Sequence, residues 1–184
     1  SGTADADGNE FIIRNDGDAG MSILAAEDSG ETSSIIFGSA SDLNGANIFY
    51  EYNAKTMKLG TQHASGILTL RSGNGSDAIT IDASQNVVAG HSTAQVLNSF
   101  TAKVQSIGTD ASSGFTAARF SANDGSAKLN FAKSRHGSAG SHTIVADNDT
   151  LGDINFTASD GTDFGTLPVR IRAEVDDSSP ASSS

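Results

Sequence analysis

The sequence predicts an all-β protein built from short antiparallel strands and hairpins in two modules. Three observations predict it. Apolar residues alternate with polar ones over stretches of four to seven residues, the period of a half-buried strand. Turn-forming dipeptides (Asp16-Gly17, Asn44-Gly45, Asn74-Gly75, Asp124-Gly125 and Asp160-Gly161) punctuate these stretches. Ser, Thr, Gly, Asp and Asn pervade every window, and all are poor helix-interior residues.

Taken in order, the alternation marks strands at Phe11 to Arg14, Met21 to Ala26, Ser34 to Phe37 and Asn47 to Tyr52. The next four are Thr56 to Thr61, Ile67 to Arg71, Ala78 to Asp82 and Asn86 to Ala89. A second group covers Lys103 to Ile107, Thr116 to Ser121, Lys128 to Lys133, His142 to Ala146 and Asp153 to Ala158. The last, Val169 to Val175, is the cleanest. Val169, Ile171, Ala173 and Val175 share one face, and Arg170, Arg172 and Glu174 the other. Pro168 stands just before it, where a missing donor is tolerated. One window admits a helix: Leu97, Phe100, Val104 and Ile107 follow a coiled-coil seam, but over fewer than two heptads and with Gly108 next.

These patterns divide the chain into an N-terminal β repeat module at 1–90, a linker or neck at 91–99, a second β module at 100–176 and a Ser-rich tail at 177–184. Ile-x-aromatic copies recur, as in Gly45-Ala46-Asn47-Ile48-Phe49-Tyr50 and Gly152-Asp153-Ile154-Asn155-Phe156. Repeated short strands with little else describe a shaft or spike better than a catalytic domain.

Composition sharpens this. Ile, Leu, Val and Phe number 38 of 184 residues, near the composition at which disorder sets in. A ribbon with one apolar face is marginal alone. The regular alternation argues for order, so the core is expected to be shared between identical chains. A net charge of −11 argues against a nucleic-acid partner and an anionic membrane surface. No apolar run reaches the length of a membrane span, and no cysteine supplies a disulfide or thiolate.

Residues 21 to 90 resemble the repeat segments of bacteriophage tail-fibre and related virion fibre proteins. The resembling features are Ser34-Ile35-Ile36-Phe37, Gly45 to Tyr50, Met57-Lys58-Leu59 and the strand–turn–strand ending Ala78 to Val88. Within that ending Gln85 replaces the family's turn glycine, and Val88 another. The second half is similar to another module of the same proteins through Val104 to Asp110, Ala118-Arg119-Phe120, Ala132 to Arg135, Asn148 to Phe156, Asp160 to Asp163 and Arg170 to Asp176. The resemblance implies an elongated homotrimeric β fibre in the virion, assembled in the host cytoplasm beside other virion structural proteins. The ladder expected to be buried between copies is Ile35, Phe37, Ile48, Tyr50, Leu68, Leu70, Ile79, Ile81, Leu129, Phe131, Ile154, Phe156 and Ile171.

Chemistry-bearing constellations are sparse. Asp5, Asp7 and Asn9 alternate oxygen ligands as a calcium loop does, yet lack its remaining spaced acid and equally form a solvated turn. Asn15-Asp16-Gly17-Asp18 and Asp147-Asn148-Asp149 read the same way. His63, His91, His136 and His142 include no His-x-His pair; His136 and His142 could meet across a hairpin. There is no Gly-x-Ser-x-Gly elbow, and Glu27, Glu31, Glu51 and Glu174 lack the aromatic platforms of sugar hydrolases, so no enzyme and no cofactor is expected. Lys133, Arg135, Arg170 and Arg172 are expected to form salt bridges between chains. Two alternatives stand beside the tail fibre. One is an adhesin that binds a host surface glycan, with Tyr50, Tyr52 and His63 the first residues to test. The other is a capsid head fibre or decoration protein.

Overall fold

A computed structural model of the chain describes residues 20–26 and 30–177. The expected strand Phe11 to Arg14 lies outside them. Among the described residues the protein is all-β without a helix, and its nine strands form three sheets. The chain divides into two compact units, residues 1–68 and 69–184.

The first unit holds a three-stranded antiparallel sheet of β1 (Thr32–Phe37), β2 (Ala46–Glu51) and β3 (Thr56–Thr61). Its register places Ile35 beside Ile48 and Ile48 beside Leu59, with Tyr50 beside Met57 in the next row. Those residues share one face because side chains alternate across a strand. The opposite face carries Ser34, Phe49 and Lys58, with the Lys58 ammonium 5.3 Å from the Phe49 ring centre. The β2–β3 turn closes on itself: Lys55 N donates to Tyr52 O at 3.2 Å, and its ammonium sits 3.4 Å from the Tyr52 ring centre.

The second unit contains the sheet of β4 (Leu68–Ser72, entered at its first residue), β5 (Ser76–Ile81), β6 (Val87–Ala89) and β7 (Val104–Ser106). β5 and β6 are antiparallel, whereas β6 and β7 are parallel. The 91–99 segment therefore lies within the connection joining two neighbours of one sheet. In it, Leu97 and Phe100 exchange backbone bonds around Asn98 and Ser99, both at positive φ (50° and 67°). That is the geometry of a tight two-residue turn, and it rules out the coiled-coil seam. Thr80, Val88 and Gln105 are cross-strand neighbours on one face, and all three are buried. Gln105 fixes the connection over that face: its Nε2 donates to Gln95 O and its Oε1 accepts from Gln95 N, both at 2.8 Å.

The remaining sheet is a two-stranded ribbon of β8 (Thr150–Ala158) and β9 (Thr166–Glu174). Ile154 faces Ile171 and Phe156 faces Val169, while Asp153 faces Arg172 on the other side. The division of apolar and charged residues expected for this last strand holds. Register shifts interrupt the ladder between Thr150 and Gly152 and between Phe156 and Ala158. Pro168 falls opposite the second shift, inside the strand rather than before it, where no ladder donor is needed.

Four expected strands are corrected. Met21 to Ala26, Thr116 to Ser121, Lys128 to Lys133 and His142 to Ala146 are not strands. A strand exists through its ladder, and alternation alone supplies none. The turn pairs divide similarly. Asn74-Gly75 and Gly161 take positive φ, but Asn44-Gly45 and Asp124-Gly125 do not. At the latter two, a side-chain oxygen does the closing instead: Asp42 Oδ1 accepts from Asn44 N, and Asn123 Oδ1 from Gly125 N.

Candidate functional site: uncovered apolar faces

Among the described residues only Val88 is a fully enclosed apolar side chain. Every member of the expected ladder is instead half-buried or exposed in the single chain. The structure sorts those residues onto faces. Ile35, Phe37, Ile48 and Tyr50 lie together on the first sheet, and Met57 and Leu59 extend their rows. Those two were missed, although the alternation of Thr56 to Thr61 marked them. Ile23 joins Ile35, Ile48 and Met57 along a shallow groove of about 130 Å³.

In the second unit Ile79 and Ile81 alternate with buried Thr80 and so lie on the opposite face of their sheet. Leu68 and Leu70 occupy the neighbouring strand. Ile154, Phe156 and Ile171 share the apolar face of the ribbon. Leu129 and Phe131 approach that face without being strand residues, and with Leu151, Gly152, Ile154 and Ile171 they bound a hollow of about 360 Å³. Phe131 packs closely against Gly152, since a side-chain carbon there would stand 2.8 Å from Phe131 Cβ.

The acidic residues serve as turn locks. Asp82 Oδ1 accepts from the amides of Ser84 and Asn86, and its Oδ2 from Asn86 Nδ2, all at 2.9 Å. The Asn86 amide is the chief reason its acidity is strengthened, with the Asn86 side chain next. Asp110 is lowered first by the Ser112 hydroxyl, and Asp160 first by the Thr162 amide. Asp149 is lowered furthest, to about 2, by Arg135 and then by the Ala146 amide. At Asp82 and Asp149 these bonds engage both carboxylate oxygens.

No group of three or more His, Cys, Asp or Glu among the described residues could hold a metal ion. The calcium candidates Asp5, Asp7 and Asn9, together with Asn15 to Asp18 and Glu27, lie outside those residues. The Asp147-Asn148-Asp149 turn spends its Asp149 carboxylate on Arg135 and the Ala146 amide. Histidines act locally: Nδ1 of His63, His91 and His136 each accepts from the amide two residues on. Arg135 pairs with Asp149 and Arg172 with Asp153, so two of the four cations expected to bridge chains are paired within one. Of the glycan candidates, Tyr50 belongs to the apolar face and the Tyr52 ring is covered by Lys55.

No helix among the described residues is long and apolar enough to cross a membrane. No family model matches the chain, and neither a characterised protein nor a solved structure shows significant similarity to it.

Proposed function

We propose that this chain is a non-enzymatic structural segment of a bacteriophage virion fibre or spike, assembled as an elongated homotrimer that supports host adsorption. One observation carries the reading. The rows Ile35–Ile48–Leu59 and Ile154–Ile171 are in register and apolar, yet their members remain half-buried or exposed in the single chain. Burial contributes about 25 cal/mol for each Å² of apolar surface removed from water, so rows left open forfeit the main source of stability. Two further copies laid against them supply that cover. The acidic outer surface then keeps the assembly soluble.

The resemblance of the repeat segments to virion fibre proteins supports the placement in a virion, beside other structural proteins of the particle. Light scattering on the purified chain tests the assembly. The expected mass is three times the 18.7 kDa of one chain. A monomer that melts cooperatively at micromolar concentration overturns the reading. Antibody labelling of intact particles then separates tail from head attachment.

A further inference from the structure

We infer that residues 115–133 form an arm that pairs, strand to strand, with the open β8–β9 ribbon of a second copy of this chain. The inference rests on the assembled reading above and specifies the contact that builds it. Three independent features of the arm support it.

Its backbone makes no ladder, and its amides at Asn123 and Gly125 bond only to side chains of the local turn. Among the described residues, no backbone-to-backbone hydrogen bond involves any position from Phe115 to Ser134. Two six-residue segments of strand-like alternation, Thr116 to Ser121 and Lys128 to Lys133, flank the Asn123 turn without pairing to each other. Such segments present a full row of donors and acceptors to any open edge. The ribbon offers that edge, because among the described residues neither of its outer margins carries a further strand.

Its side chains are unburied. Phe120 is 99% exposed and Phe115 84%, extreme values for aromatic residues in an ordered stretch. Leu129 and Phe131 already lean on the apolar face of the ribbon in their own chain, so the chemistry of that face suits this sequence.

Its charge is opposite to that of its surroundings. Arg119, Lys128 and Lys133 against Asp124 give the arm +2, leaving −13 on the rest of the −11 chain. Residues 150–174 carry Asp153, Asp160, Asp163 and Glu174 against Arg170 and Arg172, a net −2. A basic arm on an acidic chain finds its complement in another copy, and that complementarity also sets orientation.

The test compares Phe120→Asp with the parent in the 184-residue chain. Mass is followed by light scattering over a dilution series, and amide exchange is read over 116–133. Phe120 is almost wholly exposed in its own chain, so the variant keeps the isolated fold, which circular dichroism checks. The inference expects protected arm amides in the assembled parent, and assembly weakened by about tenfold or more in Phe120→Asp, as for loss of an aromatic anchor. Phe120→Leu retains assembly. A parent that assembles with fast-exchanging arm amides, or a Phe120→Asp variant that assembles as tightly as the parent, overturns the arm and leaves the trimer standing. A monomeric parent overturns both.

Discussion

Arg135 clasps Asp149 through two parallel bonds, Nε to Oδ2 at 2.7 Å and Nη2 to Oδ1 at 2.9 Å. The fork of the guanidinium matches the carboxylate, the geometry in which such a pair is strongest. Asp149 also accepts from the Ala146 amide and, through its own carbonyl, from Val175 N, so one residue ties the 146–149 turn to the end of the ribbon.

Acid should loosen this junction. The folded carboxyl of Asp149 titrates at about 2 against an ordinary 3.8, so its contribution is present above pH 3.8 and is lost as pH falls toward 2. Asp82, Asp110, Asp153 and Asp160 are lowered as well and act with the same sign. Melting at fixed protein concentration should therefore show stability falling between about pH 4 and pH 2. Asp149→Asn should flatten part of that slope. An unchanged slope in the variant would remove the clasp from the account.

Thr80 is 2% exposed, and its hydroxyl has no hydrogen-bond partner beside Val88 and Gln105. Replacing an unsatisfied buried hydroxyl with a methyl of similar shape removes a desolvation cost. Thr80→Val should raise stability by about 1 kcal/mol. Val88→Ala, directly across on the neighbouring strand, should lower it by about 2 kcal/mol through lost burial and a cavity. Denaturant titration of the two variants gives both signs.

Gln85 adopts φ 63° in the Asp82–Asn86 turn, a conformation that strains a residue bearing Cβ. The turn closes through Gln85 N to Asp82 O at 2.9 Å. Gln85→Gly should raise stability by about 1 kcal/mol, the relief of strain less the added freedom of the unfolded chain. A loss of stability on chemical denaturation would show that the glutamine side chain itself holds the turn.

Gly90 ends β6 at φ 80°, and a side-chain carbon there would lie 2.4 Å from the Ile107 carbonyl oxygen. The same turn sets the Ile107 N to Ala89 O bond that extends the parallel pairing. Gly90→Ala should cost about 2 kcal/mol or more, from strain and displacement together. Exchange of the Ile107 amide should rise with it, and an unchanged amide would separate the turn from the pairing.

Much of the fold was legible because strand and turn signals are local. Ile35, Ile48 and Ile171 declared their faces by period two, and Asn74-Gly75 its hairpin by composition. The parallel partnership of β6 and β7 was not legible, since a crossover leaves no mark at either strand. Nor was the Gln105–Gln95 pairing, which joins a side chain to a backbone ten residues away. The segments 116–121 and 128–133 carry a strand period but pair with no strand among the described residues, because periodicity marks a face and supplies no ladder. Asp147-Asn148-Asp149 looked like ligands because a carboxylate that caps a turn and one that binds an ion share the same sequence signature.

The locked corners at Asp82, Asp110 and Asp160 have a kinetic consequence. Each is completed within five residues of its aspartate, so none waits for a distant segment to arrive. Closing so short a stretch takes on the order of 100 ns or less. Corners of this kind thus close well ahead of the hairpin ladders they connect, which take about 1–10 μs to form.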